Sequence, residues 1–365
     1  MSSIKKYKIV VSDFHLGKGT YLPDGSVNIL EEFFADRQWE EFLNHFSEGP
    51  YKDLEVELVL NGDIFDLIKV DYRGYYSPIL TEAISVEKLQ SVLDGHPVFV
   101  EALKKFTSSS LHKITYVVGN HDVEMIWPRC QELLSRMIGA EIQFFNFSYI
   151  DEGVHIEHGQ QFESTNRINP KQMYITKNLR EPIINLPWGS HFVINYVLPI
   201  KLQRIAVDRV RPVGAFIRWS LWHDTVWCLK NILRVFLYFF GTRFSKSIYR
   251  TTNIVTTFKI FKELFRSPQL LDAARDVFDR NQDVSTVVMG HTHVFDTRQF
   301  KEGKQYLNTG TWTEVTSLEL NSFGRYTKFH YALIELVRDQ QNSKSQANLR
   351  EWRGKWHEDV SHQMG

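Results

Sequence analysis

Cysteine is nearly absent from this sequence: Cys130 and Cys228 are the only two in 365 residues, and they lie far apart. That excludes a disulfide framework and a thiolate-built metal cage, and it points to a reducing compartment. Net charge is absent too, with 43 Lys and Arg against 43 Asp and Glu, so overall charge selects no polyanionic partner. No apolar run reaches the ~18 residues a membrane-spanning helix needs. Near the start, the apolar run at 9–11 is too short for the core of a secretory signal, which predicts a chain that stays in the cytoplasm. Internal repeats and lipidation motifs are lacking.

What is present is a series of short β-rich runs, each closing on a polar cluster. Residues 7–11 end in Ser12-Asp13-Phe14-His15, and 55–60 end in Asn61-Gly62-Asp63-Ile64-Phe65-Asp66. Residues 114–118 end in Gly119-Asn120-His121-Asp122, 154–157 in His158-Gly159, and 284–289 in Gly290-His291-Thr292-His293. In extended backbone, residues two apart share a side, so Asp13 and His15, and likewise His291 and His293, are expected to face one point. Helical spacing predicts helices over 28–46, over 86–109 in two pieces broken at Gly95 and Pro97, and over 123–138 and 267–280. Further strands are predicted at 295–300, 305–308, 315–320 and 329–337, and a hairpin joins 142–149 to 154–157. After Arg338 the low apolar content predicts an exposed helix or a frayed tail, 338–365. Strands alternating with helices make an α/β fold, whose sites lie at strand ends.

Asp13, His15, Asp63, Asn120, His158, His291 and His293 form an oxygen and nitrogen donor set without sulfur, suited to Mn, Fe, Zn or Co. Seven ligands are too many for one ion and fit two bridged by Asp63. Asp13, His15 and His293 are assigned to one ion, and Asn120, His158 and His291 to the other. Such a pair grips the attacking and leaving oxygens of a displacement at phosphorus. His121, next to a ligand, is placed to donate a proton to the leaving group, and Asp122 to orient that ring or hold its loop. His155 competes with His158, but His158 lies at the strand end and is followed by a glycine that permits close approach. The other histidines have no motif around them and read as surface or core residues.

These motifs resemble the calcineurin-like metallophosphoesterase superfamily over residues 7 to about 337, apart from a middle insertion. The resemblance implies a four-layer α/β/β/α sandwich and two metal ions, often manganese. Gly62-Asp63-Ile64-Phe65-Asp66, Met289 to His293 and Asn308-Thr309-Gly310-Thr311-Trp312 are similar to the UDP-2,3-diacylglucosamine pyrophosphohydrolase branch. That branch releases 2,3-diacylglucosamine 1-phosphate (lipid X) and UMP in lipid A biosynthesis. Its best-known members carry Arg at the position of His121 and Asp at that of Gln160. A nuclease or cyclic-nucleotide phosphodiesterase on the same scaffold is the alternative.

The core is therefore expected at 1–166 and 267–337, with 167–266 inserted. That insertion carries seventeen Lys or Arg against four Asp or Glu. Within 215–240, Phe216, Trp219, Trp222, Val226, Leu229, Leu233, Phe236, Leu237 and Phe240 recur at helical steps and describe one helical face. Three arrangements fit a basic, Trp-rich helix of this kind. It lies in a membrane interface through 190–245, it caps the site with a slot for acyl chains, or it packs on the core. Arg167, Arg204, Arg209, Arg211 and Arg218 are candidates to meet phosphates. The aromatic residues cluster instead of alternating with basic ones, so no nucleic-acid partner is expected.

Overall fold

Three apolar strands set the frame in the computed structural model, which describes residues 4–204, 210–211, 213–244, 259–260, 270–318, 324–339, 342–354 and 360–361. β1 (Ile4–Val11), β2 (Glu55–Asn61) and β3 (His112–Val117) run parallel. Their alternation sends Ile9, Val11, Leu58, Leu60, Ile114 and Tyr116 to one face and Val10, Val59 and Val117 to the other. Both faces are buried, as parallel strands require.

The first face packs on α1 (Asp36–Ser47), α2 (Glu82–Gly95), α3 (Pro97–Phe106) and α4 (Pro128–Ile138), which contribute Trp39, Phe42, Leu89, Phe99 and Leu133. The second face meets a second sheet through Tyr149, Val154, Ile156, Val288 and Leu307. On the far side of that sheet, Ala274 and Val277 of α5 (Leu270–Arg280) cover Val287 and Met289. The layers are thus α/β/β/α, as the motifs implied.

The remaining sheet strands are β4 (Ile142–Phe145), β5 (Ser148–Asp151), β6 (Val154–Glu157), β7 (Thr286–Met289), β8 (Phe295–Gln299), β9 (Gln305–Thr309), β10 (Phe329–Asp339), β11 (Asn342–Trp352) and β12 (Val360–Ser361). The seven-stranded sheet has the order β12-β11-β10-β1-β2-β3-β4, and the five-stranded sheet the order β8-β9-β7-β6-β5.

Four expectations change. The polar segment after Arg338 is neither a helix nor frayed over 342–352: β11 pairs antiparallel with β10 from Phe329↔Trp352 to Asp339↔Asn342 and buries Ala347, Leu349 and Trp352. Alternate small and apolar side chains sufficed to fill one face. The run 142–149 is not one arm of a hairpin, because β4 joins β3 while β5 crosses to the other sheet and pairs with β6. The first helix starts at Asp36, not near Asn28. Glu31 folds back there, and its carboxylate accepts the backbone N–H groups of Gly17, Gly19 and Phe33. Position 167 is no seam, since Ile168, Ile184, Leu186 and Ile194 belong to the main core.

The aromatic run is two helices, Val213–His223 and Thr225–Phe244, divided at Asp224. Its apolar face does not pack on the core: Trp222 is 86% exposed, Val226 81% and Leu237 61%. No helix of the described residues is long and apolar enough to cross a membrane. The expectations that fall on Arg209, on 245–258, 261–269 and 319–320, and on most of 355–365 lie outside the described residues.

Candidate metal centre

Loop backbone, more than strand alternation, aims the candidate ligands. Asp13, His15, Asp63, His291 and His293 all have positive φ, between 52° and 71°, and they make up five of the nine such non-glycine residues among those described. Side chains rarely adopt this left-handed region, and strain of this kind collects where surrounding contacts enforce it. The expectation of extended backbone at the two His-containing pairs is therefore corrected. Between Asp13 and His15, Phe14 is fully buried, stacked 4.7 Å from Trp312 and 5.2 Å from Phe33. Burying such a ring contributes ~1.5–3 kcal/mol and pins the turn. Thr311 Oγ1 donates to the Asp13 carbonyl at 2.6 Å, so the Asn308 to Trp312 motif acts as a brace for Asp13.

Backbone N–H groups hold both carboxylates, and the His291 N–H reaches both oxygens of Asp13. Asp13 Oδ2 accepts from Ser12 Oγ at 2.5 Å and from the His291 N–H at 3.0 Å, and Oδ1 lies 3.5 Å from His293 Nε2. Asp63 Oδ1 accepts the His121 N–H at 2.8 Å, and Oδ2 lies 3.1 Å from His158 Nε2 and 3.9 Å from His15 Nε2. Three groups, Asp13–His15–His293, His15–Asp66–His121 and Asp63–His158–His291, each bring one donor atom per residue within 4.8 Å of the others.

Several glycines leave room for the site, Gly62 among them, where a Cβ would strike the His158 ring. A Cβ at Gly119 would collide with Asp63 Oδ1, and one at Gly290 with Ser12 Oγ and Asp13 Oδ2.

The imidazoles are oriented from behind. His158 Nδ1 donates to the Asn61 carbonyl at 2.9 Å, which leaves Nε2 facing Asp63. His291 Nε2 donates to Glu163 at 2.7 Å, which leaves Nδ1 as its free donor atom. Sequence reasoning missed Glu163, an isolated acid with no motif. His155 is engaged with Glu157 at 3.0 Å and takes no part in these groups.

Of the two tasks expected of Asp122, its contacts match the loop and not the His121 ring. Asp122 holds the loop: it accepts from the Ile64 N–H, the Gly119 N–H and Tyr116 Oη. The His121 ring is oriented by Asp66, whose Oδ1 lies 2.7 Å from Nδ1. Asp66 closes the Gly62 to Asp66 run, and its spacing three residues after Asp63 is the signal that marks it. Behind it, Lys69 Nζ lies 2.8 Å from Asp66 Oδ2 and 3.2 Å from Glu32, and Lys201 of the insertion pairs with Glu32.

Electrostatics favour cations here. Burial and then the neighbouring Asp63 push the Asp13 carboxyl up. Burial works against charge on His158 as well, yet Asp63 and Asp13 hold its pKa up at about 10. The pocket draws in protons to balance its carboxylates. His15 Nε2 and His293 Nε2 converge to 3.0 Å, and Asn120 Oδ1 is buried without a hydrogen-bond partner. Converging imidazole nitrogens and an orphaned buried oxygen are donors a divalent cation can take, so the donor set fits two such ions.

No curated protein matches the chain. Among solved structures, it is similar to the calcineurin-like phosphoesterase YfkN from Bacillus subtilis, with 12% identity, 97% of this chain and 92% of that one covered, and a TM-score of 0.38. It is similar to a dimetal phosphatase from Danio rerio, with 10% identity, coverage of 93% and 98%, and a TM-score of 0.35. It is also similar to Vacuolar Protein Sorting 29 from Cryptosporidium parvum, with 12% identity, coverage of 96% and 100%, and a TM-score of 0.30. The calcineurin-like phosphoesterase family profile matches residues 9–295, and the chain belongs to that family of phosphoester hydrolases.

Proposed function

We propose that this protein hydrolyses a phosphodiester or pyrophosphate bond at a dinuclear centre, and that its substrate is a nucleotide-linked lipid of the UDP-2,3-diacylglucosamine type, cleaved to 2,3-diacylglucosamine 1-phosphate and UMP. The observation that carries the reaction class is the convergence of Asp13, His15 and His293 beside Asp63, His158 and His291. In this reading Asp13, His15 and His293 would hold one ion and Asn120, His158 and His291 the other, with Asp63 shared by both. Two divalent ions held there, with manganese the first candidate, supply Lewis acidity at phosphoryl oxygens and lower the pKa of water. His121 Nε2 carries the proton that passes to the leaving oxygen as the P–O bond breaks, and Asp66 keeps that ring in place.

The lipid part of the reading is supported by the resemblance of the motifs and by the exposed apolar face of the insertion. Trp219, Trp222, Val226, Leu229, Leu233 and Leu237 are exposed along two helices that also carry Arg218, Lys230 and Arg234. Apolar burial and attraction to anionic lipid add on such a surface, which suits peripheral contact with the inner face of a cytoplasmic membrane.

Purified protein with Mn²⁺ is expected to hydrolyse bis(p-nitrophenyl) phosphate, and Asp63→Ala to abolish turnover. Release of UMP from the nucleotide-linked lipid tests the substrate. Turnover of the model diester without UMP release would remove the substrate and keep the reaction class.

A further inference from the structure

Lys201 is fully buried at the end of the short helix Leu198–Lys201 in the insertion. A buried ammonium is costly unless it is paired, so its partners matter. It pairs with Glu32 Oε1, while Glu32 Oε2 lies 3.2 Å from Lys69 Nζ. Lys69 Nζ lies 2.8 Å from Asp66 Oδ2, and Asp66 Oδ1 lies 2.7 Å from His121 Nδ1. Alternating charges thus run unbroken from the insertion to the proton donor, and Glu32, Lys69 and Asp66 are all buried.

The balance of charge in this chain explains the fourth member. Glu32 lies between Lys201 and Lys69, and Lys69 between Glu32 and Asp66. Without Lys201, Lys69 would be drawn toward Glu32 and away from Asp66. Asp66 Oδ2 would then turn toward its next neighbour, His15 Nδ1 at 3.6 Å, and Oδ1 would leave His121.

We infer that Lys201 is a positioning residue for His121, so that seating of the insertion sets the orientation of the proton donor. A purely structural role would place Lys201 anywhere on the insertion's contact with the core, with no path to the site. The inference rests on the proposed role of His121, and its test has one readout that does not.

The full-length chain with ¹⁵N-labelled histidine is compared as wild type, Lys201→Met and Lys201→Arg. The low-field proton of His121 Nδ1, shared with Asp66, is expected in wild type, lost in the methionine variant and restored by arginine. With Mn²⁺, kcat is measured for two diaryl phosphates, one releasing p-nitrophenol and one releasing unsubstituted phenol. The poorer leaving group needs the proton more, so Lys201→Met is expected to lower its kcat about tenfold more than that of the nitrophenyl ester, with KM little changed. Lys201→Gln keeps a donor against Glu32 and takes the same two readouts if the methionine variant does not fold. Retention of the low-field proton in folded Lys201→Met or Lys201→Gln, or equal loss on both esters, overturns the inference. Absence of wild-type turnover under any divalent ion would overturn the hydrolase reading instead, and the proton signal would still decide Lys201.

Discussion

His121 Nδ1 lies 2.7 Å from Asp66 Oδ1, whereas the adjacent Asp122 commits both oxygens to Ile64, Gly119 and Tyr116. Two acids in neighbouring motifs therefore perform separate tasks, and their variants should fail differently. Asp66→Asn is expected to lower kcat by about 10²-fold with a smaller loss of stability than Asp122→Ala, since Glu32 still pairs with Lys69. Asp122→Ala strips three donors of a buried acceptor and should lower stability by several kcal/mol. Kinetics paired with thermal unfolding separates the two, and equal behaviour would refute the division.

Gly119→Ala should injure the metal site without changing a ligand, because its Cβ collides with Asp63 Oδ1. We expect manganese affinity to fall about 10–100-fold, the scale seen when groups supporting ligands are lost. Calorimetric titration with Mn²⁺ measures it, and wild-type affinity in this variant would contradict the placement of Asp63.

Stability should fall on the alkaline side through His96. Burial opposes charge on this ring, but Asp36 and Glu31 raise its pKa from 6.5 to about 9. Because the folded value lies above the unfolded one, the stabilisation is complete below about pH 6.5 and is lost as pH climbs through about 9. At most it amounts to about 3 kcal/mol. Denaturant unfolding of wild type and His96→Gln at pH 6 and pH 10 should give a difference that shrinks with pH, and a constant difference would exclude the ion pairs.

Membrane contact predicts that Trp222→Glu with Val226→Glu abolishes flotation with vesicles containing anionic lipid while hydrolysis of the soluble diester persists. These two side chains are 86% and 81% exposed, so the fold should tolerate the change. Flotation undiminished by the double variant would move the contact elsewhere.

Much of this was legible beforehand because the site is built at strand ends, where a short apolar run followed by a polar cluster announces itself. Asp13, Asp63, His158 and His291 could be picked out one by one on that basis. Glu163 and Lys201 could not, since long-range pairing leaves no local pattern. The segment at 342–352 was misjudged for a related reason: its Ala347 and Leu349 needed a neighbour, β10, before so polar a run could count as a strand. The backbone of His15 and His293 was misjudged because left-handed geometry at non-glycine residues is imposed by surrounding contacts, such as the burial of Phe14.

Asp13 and Asp63 leave one sheet and His158 and His291 leave the other, so the gap between the sheets is itself a catalytic dimension. A bulkier side chain at Val10, Val59 or Val288, deep between the layers and remote from any phosphate, would wedge the carboxylates away from the imidazoles. The grip on the ions is thus tuned by the thickness of the sandwich, and substitutions far from the pocket would loosen it without altering a single donor atom.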